Sequence, residues 1–118
     1  LDPSYAPDAI AAFNHVLELD PKHADALRGL ANLHYDREEH AQAVPFFERY
    51  LALRPDDASA RTDLGTMYLY AGDAPRAIKT YEEVIRRNPS FLQAHYNLAV
   101  ALHREGRQEA ALAELLSS

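Results

Sequence analysis

The chain has 118 residues, 47% hydrophobic and 25% charged, which is enough apolar material for one packed domain and too much charge for a membrane protein. Its formal charge of −6, with the two signs interspersed, argues against a nucleic-acid partner, because phosphate binding needs a positive field. The absence of cysteine excludes disulfides and thiolate metal sites, no apolar run approaches the ~18 residues of a spanning helix, and Leu1-Asp2-Pro3-Ser4 is unlike the start of a signal peptide.

The apolar spacing predicts seven helices, and no segment alternates with the period of a strand. The first, near 7–19, carries Ile10, Phe13 and Leu17 on one face, with Pro7 harmless in its first turn. The second, near 24–37, aligns Leu27, Leu30, Ala31 and His34. The third, near 40–53, aligns Val44, Phe47 and Leu51, but Pro45 lies past its first turn and is expected to delay or bend it. The fourth, near 58–71, is expected to be capped by Asp56. The fifth, near 74–87, starts with Pro75 in its first turn and aligns Ile78, Tyr81, Val84 and Ile85. The sixth, near 92–105, is expected to be capped by Ser90, and the seventh, near 108–116, carries Leu112, Leu115 and Leu116.

These helices recur with a fixed period. Pro21, Pro55 and Pro89 are 34 residues apart, and so are Ala9, Ala43, Ala77 and Ala111. Phe13, Phe47, Tyr81 and Leu115 keep the same interval, as do Leu30, Leu64 and Leu98, then Ala31, Gly65 and Ala99, and also Gly72 and Gly106. A period of this length marks a solenoid. The small residues let two antiparallel helices approach, and the aromatics fill the space between one helix pair and the next. The prolines end helices, because the residue before each is pushed out of the α region. The two glycines can take the left-handed conformation that closes a unit's first helix.

The pattern resembles the tetratricopeptide repeat, which favours Leu-Gly/Ala, a Tyr, an Ala, an aromatic and a late Pro within 34 residues. It reads LANLHYDREEHAQAVPFFERYLALRP, LGTMYLYAGDAPRAIKTYEEVIRRNP and LAVALHREGRQEAALAELL in this chain. The resemblance implies an all-α, right-handed superhelical solenoid of antiparallel helix pairs, about three and a half repeats long, in a single domain 1–118. Residues 1–23 hold mainly a second helix, 24–57 and 58–91 are complete units, and 92–118 is truncated. Three positions depart from the pattern. Arg61 and His95 stand where the family places a bulky apolar residue (Leu27 is regular), and Glu38 stands where Gly72 and Gly106 do, so it is expected in or beside a left-handed conformation.

In this family the first helices line a concave groove that takes an extended or helical peptide. Carried over by register, the groove residues here are Arg28, Asn32 and Tyr35, then Thr62, Thr66, Leu69 and Tyr70, then Tyr96, Asn97, Val100 and His103. Phenols, amides and guanidinium groups can hydrogen-bond a peptide backbone while their apolar parts pack on its side chains. Asp25, Ser59 and Gln93 lie on the same face and are as readily explained by solvation. The carboxylate clamp of some family members is incomplete: Arg28 and Asn32 match one pair and Asn97 another position, but Asp63, Gln93 and Asn97 replace the remaining asparagine and cations.

Catalytic signals are absent. The glycines at 29, 65, 72 and 106 make no phosphate loop, and Glu38-Glu39, Asp56-Asp57 and Glu82-Glu83 are neighbours that do not face each other on a helix. None of the six histidines forms an i, i+4 metal pair, and His34 is expected to pack in the core. No cofactor and no metal is expected. The implied function is a protein–protein interaction scaffold; the alternative is a substrate-docking or regulatory segment of a larger enzyme or of secretion or maturation machinery. The expected partner is a protein or peptide, not nucleic acid or membrane, in a soluble protein whose compartment the lack of cysteine leaves open, the cytoplasm being favoured over the periplasm. Uncapped apolar ends, with Ile10, Phe13 and Leu17 at one and Leu112, Leu115 and Leu116 at the other, suggest self-association.

Overall fold

The structure, a computed structural model, describes residues 6–106 and 108–117, with side chains at 6–106 and 113–117. All regular structure among these residues is helical: α1 (Ala6–Leu19), α2 (Ala24–Asp36), α3 (His40–Leu53), α4 (Ala58–Tyr70), α5 (Ala74–Arg87), α6 (Leu92–Arg104) and α7 (Gln108–Ser117). Each expected helix is present with its ends within one residue of the expected ones.

The ends follow from a few residues. The turns after α2, α4 and α6 close alike: the amides of Glu38, Gly72 and Gly106 donate to the carbonyls of Tyr35, Leu69 and His103. That geometry needs positive φ, which is 58° at Glu38, 94° at Gly72 and 77° at Gly106. Glu38 is thus left-handed, as its phase requires. Two helix caps differ from expectation by one residue. Asp57, not Asp56, caps α4 by accepting the amide of Ala60 at 3.0 Å. Phe91, not Ser90, stands at the cap of α6 and gives no side-chain bond. His23 caps α2 through Nδ1, which accepts the Ala26 amide at 3.1 Å, and Asp73 caps α5.

Pro45 does not delay α3, which begins at His40 and runs unbroken to Leu53. The cost is local: proline has no amide to donate to the carbonyl of Ala41.

By contact the chain divides into two compact units, Leu1–Asp56 and Asp57–Ser118. In the first, α2 packs on α3 and α1. Leu17, Ala26, Leu27 and Leu30 form its core, flanked by Ile10, Phe13, Val16, Phe46, Tyr50 and Leu53. Leu17 is therefore buried by its own unit. His34 stacks on Phe46 with centroids 5.6 Å apart and its Nδ1 lies 2.8 Å from Glu39 Oε1, so it joins the core as expected. Ala31 and Ala43 are fully buried, as the close approach of α2 and α3 demands. In the second unit, α5 packs on α4 and α6, and α7 packs on α6. Gly65 lets the Tyr81 ring in: a Cβ there would lie 2.6 Å from Tyr81 Cε1, closer than carbon atoms tolerate. Burying Tyr81 and Phe47 contributes roughly 1.5–3 kcal/mol each.

Candidate functional site

In the first unit, Arg28, Asn32 and Tyr35 follow one another at helical spacing on α2 and so share a face. Arg28 Nε donates to Asn32 Oδ1 at 3.1 Å, and its guanidinium carbon lies 5.3 Å from the Tyr50 ring centre. That bond engages the Asn32 oxygen and leaves its NH2 group as the donor side of the amide. Tyr35, expected in the groove, packs edge-on to Phe47 with centroids 6.3 Å apart and is partly buried. A shallow apolar cleft of about 310 Å³ lies beside them, lined by Ala9, Phe13, Gly29, Asn32, Leu33 and Asp36. Gly29 lets the Phe13 ring lie against α2, because a Cβ at that position would sit 2.5 Å from Phe13 Cζ.

The second unit gathers more of the expected groove. Thr66, Leu69 and Tyr70 of α4, Tyr81 of α5, and Tyr96, Asn97 and Val100 of α6 line one cleft of about 210 Å³. Its walls are aromatic and open to solvent: Tyr70 is 51% and Tyr96 59% exposed. Its floor is polar. Thr66 Oγ1 donates to the Thr62 carbonyl at 3.2 Å, which leaves Tyr81 Oη to donate to Thr66 Oγ1 at 2.8 Å. Gln93 Nε2 donates to Asn97 Oδ1 at 2.8 Å, so Asn97, like Asn32, presents donors. The guanidinium carbon of Arg104 lies 5.2 Å from the Tyr70 ring centre.

Two expected groove residues stand elsewhere. Thr62 is 3% exposed and its hydroxyl donates to the Ala58 carbonyl at 2.8 Å, so it is buried and outside the cleft lining. His103 is exposed on α6 but outside the cleft lining. The sequence reading missed Tyr81 as a cleft residue, because its phase marked it as core; it is both, with its ring buried and its hydroxyl set in the floor. It also missed the orienting roles of Arg28 and Gln93, although each precedes its asparagine by four residues, a spacing legible on any helix.

His95 shows what the chain does with a polar residue at an apolar position. It is 8% exposed; its Nε2 donates to the Pro89 carbonyl at 2.7 Å and its Nδ1 meets the carboxylate of Glu114 on α7. The Pro89 carbonyl and then Glu114 raise its pKa above the ordinary imidazole value, against the opposing effect of burial. On the surface of α5, hydrogen bonds from Arg86 and Arg87 lower the pKa of Glu83. Among the described residues no three histidine and carboxylate side chains converge as a metal site, and no helix is long and apolar enough to cross a membrane.

The sequence profile of the tetratricopeptide repeat matches residues 6–58 and 62–118. The chain is 33% identical over 105 residues to the peroxisomal targeting signal receptor of Eremothecium gossypii, covering 89% of this chain and 18% of that protein. It is 34% identical over 94 residues to a human aspartyl/asparaginyl beta-hydroxylase, covering 75% of this chain and 12% of that one. The chain thus spans less than a fifth of these relatives. Among solved structures it is similar to MamA, with 27% identity and a TM-score of 0.87 over 95% of this chain and 66% of that one. A MamA from Desulfovibrio magneticus shares the fold at a TM-score of 0.88 with 22% identity, over 96% of this chain and 64% of that one.

Proposed function

The chain belongs to the tetratricopeptide-repeat family, and from that premise we propose that it is a protein–protein interaction scaffold that takes an extended or helical segment of a partner against its first helices. The observation that carries this reading is the cleft of the second unit. Tyr70 and Tyr96 stand exposed on either side of it, and a solvated helix face has little reason to keep two phenol rings there. Aromatic side chains of this kind bury large areas at a low entropic cost. Asn97, its oxygen engaged by Gln93, offers amide hydrogens to a partner's backbone carbonyl. Arg28 and Asn32 repeat that device in the first unit, beside the apolar cleft floored by Phe13.

A peptide ligand also fits the relative named as a receptor for a targeting signal. The hydroxylase relative bears the name of an enzyme, and what this chain shares with it is the repeat region, which supports the scaffold reading.

The test begins with peptides selected from a random display library on the chain itself. Their affinities are then compared for the parent and the double variant Tyr70→Ala, Tyr96→Ala. Loss of two aromatic anchors is expected to weaken binding by about tenfold or more, with the far-ultraviolet dichroism unchanged. Selected peptides that bind the double variant as tightly as the parent would place the binding surface elsewhere.

A further inference from the structure

The 34-residue phase sets three pairs of positions in correspondence: Leu27 with Phe46, Arg61 with Thr80, and His95 with Glu114. In the first unit the pair is apolar: Leu27 is 1% exposed in the core and Phe46 packs against the same cluster. At the α6–α7 contact the same two positions hold an imidazole and a carboxylate, joined directly. An apolar contact between the two helices of a pair has become a titratable one.

The geometry selects one protonation state. His95 has an acceptor on both ring nitrogens, the Pro89 carbonyl at Nε2 and the Glu114 carboxylate at Nδ1. A neutral imidazole carries one N–H and can serve only one of them. If Nε2 keeps that proton, the lone pair on Nδ1 faces the carboxylate; if Nδ1 keeps it, the lone pair on Nε2 faces the Pro89 carbonyl, so either tautomer sets one lone pair against an acceptor. The imidazolium satisfies both acceptors and cancels the charge of Glu114. Among the described residues, the charged group set against His95 is Glu114 of α7; α4 and α5, the other helices packed on α6, add no charged group to its titration.

We propose that His95 and Glu114 form a pH-dependent latch that holds α7 against α6, closed while His95 is protonated and released as it loses its proton. The sign follows from the raised folded-state pKa. The latch is fully closed below the unfolded value of about 6.5, and its contribution is lost as pH rises through the folded value. Release loosens the packing of α7 on α6. Near-neutral pH therefore sets how firmly α7 packs on α6.

The test follows α7 amide protection factors and the His95 imidazole resonances by NMR between pH 5.5 and 8.5 (a range that brackets the ordinary histidine value of about 6.5). In the parent chain, α7 protection is expected to fall as pH rises, with the midpoint of the His95 titration. The change is about tenfold for each unit by which the pKa is raised. The double variant His95→Leu, Glu114→Phe restores the apolar pair of the first unit and is expected to keep α7 protected at every pH. Glu114→Gln, which keeps an acceptor but removes the charge, is expected to lower the His95 midpoint and shrink the change. Protection of α7 that is the same across the range in the parent chain, or a pH dependence that persists in the double variant, overturns the latch.

Discussion

Glu38 holds a φ of 58°, a conformation that a side chain with a Cβ adopts at a cost of roughly 1–2 kcal/mol. Gly72 and Gly106 make the same turn without that cost, and nothing lies within 4 Å of where their Cβ atoms would be. The side chain of Glu38 is exposed, so its removal loses no packing. Glu38→Gly is therefore expected to stabilise the chain by up to ~1 kcal/mol, part of the strain relief being offset by a more flexible unfolded chain. Urea denaturation measures this directly, and a loss of stability would contradict the turn geometry. This position was legible in the sequence because the period transfers a conformation from one unit to the next. Capping was not. Asp56 and Asp57 are adjacent carboxylates, and only the path of the backbone decides which one reaches the Ala60 amide.

Between α3 and its neighbours the period was a good guide to position and a poor guide to detail. It set the helix ends within one residue, because proline, glycine and the spacing of apolar residues act locally. The delay expected at Pro45 does not occur, since the packing of Ala43, Phe47 and Leu51 holds α3 together where an isolated helix would break. The missing bond is still a cost. Pro45 is exposed, and Pro45→Ala restores an amide donor opposite the Ala41 carbonyl without disturbing the core. The expected gain is about 1–3 kcal/mol, visible as a rise in the thermal midpoint. An unchanged or lower midpoint would mean that the gain is cancelled by the freedom returned to the unfolded chain. Thr62 taught the converse lesson: helical phase assigns a residue to a face but not to a depth, and this threonine is buried. Tyr81 shows the same limit, because one ring can fill a core and floor a cleft at once.

For the chain as a whole, the repeat period was legible enough to give the family, the helix order and most of the cleft of the second unit. What it left out are contacts made by substitutions peculiar to one unit, above all His95 with Glu114, which no period can report. Large apolar side chains also stay open to water. Leu115 is 50% and Leu116 79% exposed on α7, Leu19 is 76% and Leu92 63% exposed, and Ile10 and Phe13 are only half-buried. Leu17, expected to be part of the same open surface, is covered by its own unit, and the side chain of Leu112 lies outside the described residues. Covering one leucine contributes roughly 1.5–3 kcal/mol, so joining Leu115 and Leu116 to apolar surface on a second molecule gives a substantial drive to associate. The entropic cost of association, several kcal/mol, opposes this and confines it to high concentration. We expect the chain to self-associate reversibly as its concentration approaches millimolar, and the double variant Leu115→Lys, Leu116→Lys to stay monomeric under the same conditions. Sedimentation equilibrium distinguishes the two. A parent chain that is strictly monomeric throughout would show that α7 is not an association surface, and a double variant that still associates would move that surface to Ile10, Phe13 or Leu92.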